Sequence, residues 1–309
     1  MDLTVTSERV GTRRTVADYA ALVRVPNLFT APPDVLAGAA LATLAGGAVG
    51  ATDLFAVAVA SLLLYAGGTT LNDYFDAPVD AEERPERPIP SGRVPRRTAL
   101  ALGAAFLVAG VLLALVAGGR PAVVAALLAL GVALYDGPLK GGLAGFLAMG
   151  SIRGLNVVLG VVAAGRLPGV PPWLLAVPLV VAAYVAAFTS MAASEATGTS
   201  RRAVAVAMAG TAPAGLSVPV VALVAEGTGR SVVLSVLLAG GFLAWTGHAL
   251  GRAYDDPSPG TVGPAVGTCV LALVVLDAAF AAIAGVAWAV LALAFLAPAV
   301  GLSRAFDVS

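Results

Sequence analysis

Histidine and cysteine are almost missing: this chain of 309 residues holds one of each, His248 and Cys269. A lone cysteine excludes an internal disulfide framework. A lone histidine excludes the His-rich sites that hold zinc, so any metal must be held by oxygen. Charge is scarce as well. Asp, Glu, Lys and Arg make up 12% of residues, about half the ~25% of a soluble domain. Acidic and basic residues number 18 each. A net charge of zero gives no general pull toward a polyanion, and no nucleic-acid partner is expected.

Apolar sequence fills the space that charge leaves. The chain is 59% hydrophobic, and a spanning helix needs about 20 consecutive apolar residues. Such runs lie near 28–48, 53–75, 97–118, 121–138, 142–165, 171–193, 201–225, 230–251, 262–283 and 285–304. The expected fold class is an all-α integral membrane protein. It is a single domain over 1–309, a bundle of nine to ten transmembrane helices surrounded by membrane lipids. Nine would follow if one segment, most simply the C-terminal one, is re-entrant or merged. Residues 1–24 are mixed and charged, with no apolar core followed by a cleavage site. They read as a cytosolic or interfacial lead-in, with an interfacial helix over "VADYAALVRV".

Basic residues set the orientation. With the N-terminus inside, one set of connections carries Arg84, Arg87, Arg93, Arg96, Arg97, Lys140, Arg153, Arg201, Arg202 and Arg252. The other carries Arg120, Arg166 and Arg230. Cytosolic loops hold the excess of Lys and Arg, so every polar cluster is expected on the cytosolic face, in the plasma membrane of a prokaryote.

The densest cluster is "NDYFDAPVDAEERPERPIPSG", Asn72 to Gly92. Asn72, Asp76 and Asp80 are four apart, so on a helix successive side chains drift by about 40° and share one face. Asp73 stands about 100° away. Unpaired carboxylates near hydrocarbon are costly, and a shared divalent cation makes them favourable. Oxygen ligands select Mg²⁺ or a similar hard ion, which binds one or two carboxylates together with substrate phosphates. Pro78 is expected to end or kink the helix before Asp80. The following loop is stiffened by Pro85, Pro88, Pro90 and Pro95. It also carries arginines, whose forks suit phosphate oxygens.

These residues carry a resemblance. The stretch is similar to the first aspartate-rich motif of the UbiA superfamily of intramembrane prenyltransferases, N-D-x-x-D-x-x-x-D followed by R-P-x-R-P-I-x-x-G. "YDGPLK" after the fourth span extends the likeness. The resemblance implies a helical bundle around a lateral or cytosolic-facing cavity, with Mg²⁺ joining two acidic motifs to the diphosphate of a polyprenyl donor. It implies Asn72, Asp76 and Asp80 as metal ligands with Asp73 beside them, Arg84 and Arg87 as loop arginines, and Lys140 as a diphosphate ligand. Arg153 and Asn156, one turn apart on the fifth span, would face the same cavity mouth.

The second acidic motif departs from the family pattern D-x-x-D-D-x-x-x-G. Anchored on Gly198, the chain reads "SMAASEATG": Ser190, Ala193 and Ser194 stand at the acidic places and Glu195, the one carboxylate, follows them. The resemblance makes Ser190, Ser194 and Glu195 diphosphate-binding candidates and Glu195 the candidate ligand of a second metal. In this the chain resembles the divergent EboC-like branch more than the quinone-pathway enzymes. The expected activity is Mg²⁺-dependent transfer of a polyprenyl group from its diphosphate to an unidentified acceptor. That acceptor could be a quinone precursor, a lipid-backbone alcohol, a carotenoid or another small hydroxylated molecule. A terpene cyclase and a diphosphate-binding protein that has lost catalysis are the rivals. Aromatics at 6% suit a smooth aliphatic tunnel better than a cage for a long-lived cation. Asp34 reads as a helix-start acid. Asp277, deep in a late span, has no partner visible in the sequence.

Overall fold

The computed structural model describes residues 16–165, 169–197, 200–227 and 229–305, apart from the side chains of 195–197 and 304–305. The described residues are helical and contain no strand. After a helix over 16–22 (α1) come α2 (Val25–Leu28), α3 (Pro32–Leu44), α4 (Ala51–Glu83), α5 (Arg96–Ala114) and α6 (Gly119–Asp136). Then follow α7 (Gly142–Ala163), α8 (Pro172–Thr197), α9 (Arg201–Val224), α10 (Gly229–Asp255), α11 (Pro259–Ala284), α12 (Val286–Leu293) and α13 (Leu296–Ala305). Among the described residues, nine helical stretches are long and apolar enough to cross a membrane, the last running through α12 and α13. The expectation of nine to ten spans therefore holds.

The short segment is the first, not the last. α3 has 13 residues, about 20 Å at 1.5 Å per residue, too short to cross. Every residue from Pro32 to Ala42 is buried, because α3 sits inside the bundle against α4, α7, α11 and α12. A helix apolar on all sides belongs in such a place. Glycines set its distance from α7. A Cβ on Gly160 would lie 1.9 Å from the Val35 carbonyl oxygen, and one on Gly38 would lie 2.0 Å from that of Val157. Backbones this close are the usual use of small residues in membrane bundles.

α4 is one unbroken helix of 33 residues, about 50 Å long. It passes through Pro78, which was expected to end or kink it, and does not end there. Proline removes one donor, so the Tyr74 carbonyl loses its helical partner. Pro78 is exposed, at the polar end of the helix where water can supply the missing bond. The continuation carries Asp80 inward, to 6% exposure.

The loop after α4 is folded on itself. Val94 N–H donates to Pro88 O at 2.9 Å, Ser91 N–H to Arg87 O at 3.0 Å and Gly92 N–H to Ile89 O at 3.0 Å. Gly92 takes the left-handed conformation (φ 75°) that closes the turn. Ile89 and Val94 pack with Leu22, Ala77 and Ala99, with Tyr19 against them. Arg93 Nε bonds Asp18 Oδ1 at 2.7 Å. The helix expected over 16–25 is present over 16–22 as α1, and it lies against this loop.

Candidate functional site

The acids of the first motif sort into two groups around the helix. Asn72 and Asp76 face α6. Asn72 Nδ2 donates to Asp136 Oδ1 at 3.1 Å, and Asp76 pairs with Lys140, on the turn after α6. Asp73 and Asp80 face the loop instead. Arg87 Nη1 stands 2.8 Å from Asp80 Oδ2 and 3.7 Å from Asp73 Oδ1. Seven residues turn a helix roughly 700°, about 20° short of two full turns, so Asp73 and Asp80 share a face as closely as any pair here. The 40° drift per step, noted from the spacing, has by Asp80 grown large enough to change its company.

Arg24 bridges the two groups. Its Nη2 donates to Asn72 Oδ1 at 3.3 Å and to Asp73 Oδ1 at 2.9 Å. The residue sits in the left-handed region (φ 49°, ψ 56°), which is uncommon and costly outside glycine. Thr69 Oγ1 anchors the turn by donating to Val23 O at 3.1 Å. Nothing in the motif pattern flags Arg24. The visible signal is only a basic residue just before the first apolar run.

Beneath this mouth lies a cavity of about 220 Å³ between α4, α6 and α7. Arg24, Asn72, Tyr135 and Asp136 line its polar end. Ser61 and Tyr65, on the same helix as Asn72, line it further in. Ser61 is 11 residues from Asn72, about 16 Å along the helix axis. Leu64, Leu128, Val132 and Ile152 make the intervening wall apolar. Arg153 and Asn156 also line it. They are both held by Asp34. Arg153 Nε lies 3.1 Å from Asp34 Oδ2, and Asn156 Nδ2 donates to the same oxygen at 2.9 Å. Asp34, read from sequence as an ordinary helix-start acid, is fully buried.

The remaining expected site residues stand elsewhere. Arg84 is exposed at the end of α4. Ser190 Oγ donates to Ala187 O and Ser194 Oγ to Met191 O, each at 2.7 Å, so both hydroxyls return to their own helix and neither lines the cavity. The Glu195 side chain lies outside the described residues.

Among the described residues no three acidic, histidine or cysteine side chains converge into a ready-made metal cage. The mouth does offer oxygen donors. Asp136 Oδ2 is buried without a hydrogen-bond partner, while its other oxygen holds Asn72, and the Asp136 carboxyl lies close enough to Asp76 and Lys140 to sense their charges. An orphaned carboxylate oxygen beside Asn72 and Asp76 fits a hard cation that completes its shell with ligand oxygens.

These features define a membrane-embedded helical bundle whose apolar cavity opens at a ring of paired acids and bases. Residues 33–261 match the model of the UbiA prenyltransferase family. The chain belongs to that family.

Individual relatives match over part of the chain. It is 40% identical over 152 residues to digeranylgeranylglyceryl phosphate synthase of Ignicoccus hospitalis, covering 49% of this chain and 48% of that protein. It is 36% identical over 157 residues to the synthase of the same name from Methanopyrus kandleri, covering 50% and 56%. The chain thus spans about half the length of the curated relatives it matches. Among solved structures, a UbiA homolog from Aeropyrum pernix superposes with a TM-score of 0.66 at 20% identity, over 82% of this chain and 97% of that one. A UbiA homolog from Archaeoglobus fulgidus bound to GPP and Mg²⁺ gives 0.62 at 16% identity, over 85% and 99%. At those identities the likeness concerns the fold.

Proposed function

We propose that this protein is a Mg²⁺-dependent prenyltransferase that moves a geranylgeranyl group from its diphosphate to the hydroxyl of a lipophilic glyceryl phosphate. The observation that carries the reading is the mouth of the cavity, where Asn72, Asp73, Asp76 and Asp80 each face a base or an acid across the rim. Family membership supports prenyl transfer. The name shared by the relatives describes a glyceryl phosphate bearing two geranylgeranyl groups, which supports the choice of donor and acceptor. The excess of Lys and Arg on one side supports a cytosolic mouth.

A divalent ion held here would supply positive charge beside the leaving diphosphate. Asn72 and Asp76, with the free oxygen of Asp136, are the groups that would hold it, and Asp80 would serve from the loop side. Lys140, Arg87 and Arg24 bind the diphosphate oxygens in place of the carboxylates they now pair with. Charge that builds on the leaving group is where fixed cations help most. The prenyl chain runs along Leu64, Leu128 and Val132. This wall excludes water, so the allylic cation meets the acceptor hydroxyl before it meets solvent.

The test uses purified full-length protein in lipid nanodiscs, given geranylgeranyl diphosphate and geranylgeranylglyceryl phosphate with Mg²⁺ or with EDTA. The expected result is a doubly prenylated ether identified by mass spectrometry, formed with Mg²⁺ alone. A cyclic hydrocarbon formed without acceptor would instead mark a cyclase. Diphosphate that binds but is never released would mark a carrier. Either result overturns the proposal.

A further inference from the structure

Three helices meet at the cavity wall where Arg153 lies. Asp34 on α3, Arg153 on α7 and Asp277 on α11 are 0%, 6% and 0% exposed. Arg153 Nη2 donates to Asp34 Oδ1 at 3.2 Å and to the Thr30 carbonyl at 2.6 Å, and its Nε stands 3.1 Å from Asp34 Oδ2. Asn156 Nδ2 ties that same oxygen to the Ala31 carbonyl, at 2.9 and 2.8 Å. Asp277 stands on α11, which packs against α3, and its carboxyl is near enough to Asp34 for each to feel the other. Neither of its oxygens receives a bond from a donor among the described residues. Tyr184, which also feels Asp277, is committed elsewhere: its hydroxyl donates to the Cys269 carbonyl at 2.8 Å.

Two carboxylates and one guanidinium leave a net negative charge in an apolar interior, where uncompensated charge is strongly disfavoured. Two acceptors turned toward each other with no donor are equally disfavoured. A single proton removes both problems, since it neutralises the set and gives the carboxyl pair its missing donor.

We propose that Asp34 and Asp277 share one proton, and that Asp277 is a positioning residue that completes a neutral interhelical lock holding Arg153 against the cavity wall. The proposal rests on the prenyltransferase reading only in treating Arg153 as part of a substrate cavity. The shared proton stands on the burial and the missing donors alone.

Either acid can then be replaced by its amide without disturbing the charge. In Asp277→Asn the new amide donates to Asp34. In Asp34→Asn the Asp277 carboxyl gives up its proton and becomes the counter-charge for Arg153. The double variant leaves the guanidinium with no carboxylate.

The test is infrared difference spectroscopy on full-length protein in lipid nanodiscs, with SDS unfolding as a second readout. Wild type should show the carbonyl stretch of a protonated carboxyl, and this band should vanish in both Asp277→Asn and Asp34→Asn. Asp277→Asn should keep its folded-to-unfolded ratio to within about twofold. Asp34→Asn, whose new NH2 must face either Arg153 Nη2 or Asn156 Nδ2, should lose about 5- to 150-fold. The double variant should lose roughly a hundredfold or more beyond the product of the two. A band that survives both single substitutions overturns the proposal, as does a double variant no worse than the product of the singles. Prenyl transfer does not enter these measurements, so a protein that fails the activity test can still pass this one.

Discussion

Lys140 Nζ pairs with Asp76 Oδ1 across the cavity mouth, from the turn after α6 to the last third of α4. One of the two is suited to a metal ion and the other to a diphosphate. Each therefore occupies the place of the other's ligand. Arg87 repeats the arrangement with Asp73 and Asp80, and Arg24 with Asn72 and Asp73. On the proposed reading, binding is an exchange of partners. Either ligand alone must break pairs without replacing them, whereas metal and diphosphate together satisfy both sides.

Mg²⁺ and diphosphate should accordingly bind as a unit. Affinity for Mg²⁺, measured by calorimetry with and without inorganic pyrophosphate, should differ by roughly 5- to 150-fold, the usual range of coupling between sites. Lys140→Met should shrink that ratio. Equal affinities in the two titrations would show that the pairs are not in competition with the ligands.

Arg24 should matter although it belongs to no motif. Its two charge-assisted bonds predict that Arg24→Ala lowers kcat/KM about 10- to 150-fold, given 1.5–3 kcal/mol for hydrogen bonds to charged groups. Arg24→Lys should rescue little, because an ammonium lacks the planar fork that reaches Asn72 and Asp73 together. Full activity in Arg24→Ala would remove it from the site.

Asp136 orients the Asn72 amide so that Nδ2 turns toward α6 and Oδ1 is left for other partners. Asp136→Ala removes both this orienting bond and the oxygen offered to the ion, so by Mn²⁺ titration the affinity should fall by at least the ~10- to 100-fold that loss of an orienting carboxylate alone costs. Unchanged Mn²⁺ affinity would reduce Asp136 to a helix-end acid.

The two serines of the degenerate motif should be silent. Ser190 and Ser194 spend their hydroxyls on carbonyls of their own helix, so the double Ser→Ala variant should alter stability by no more than about 0.5 kcal/mol. Its turnover should match wild type. A clear loss of turnover would give these hydroxyls a ligand role after all.

Gly160 fixes how near α3 comes to α7, and with it the reach between Asp34 and Arg153. Gly160→Ala should destabilise the protein by at least about 1–3 kcal/mol, the cost of overpacking, because the obstacle is backbone and cannot swing aside. Gly240, where an added Cβ meets nothing within 4 Å, is the control. Gly240→Ala should be neutral or gain up to ~1 kcal/mol of helix propensity. SDS unfolding midpoints of the two variants check the pair.

The spans and the acid ladder were legible in the sequence because each is local. Apolar length reports a span, and a spacing of four reports a shared face. Asp80 was misjudged through Pro78. A proline inside a helix costs a donor and a clash, but an exposed proline near the end of a long helix leaves its orphan carbonyl to water. The shortness of α3 was invisible because a buried helix and a spanning one look equally apolar. Asp34 and Arg153 are 119 residues apart, and Asp277 is farther still, so no periodicity could join them. Arg24 looked like one of several lead-in charges until the chain turned it onto α4.

One further consequence concerns the lipid around the protein. α4 is about 50 Å long and the hydrocarbon layer about 30 Å thick, so a single helix is long enough to cross the bilayer and extend roughly 20 Å beyond it, with Asp76 and Asp80 in its last third. The altitude of the chemistry is therefore gauged from the far leaflet. In vesicles of longer-chain lipids the acid steps sink toward the headgroups, and in shorter-chain ones they rise into water. Acyl length becomes a dial on the surroundings of Asp76 and Asp80 that no residue at the mouth controls.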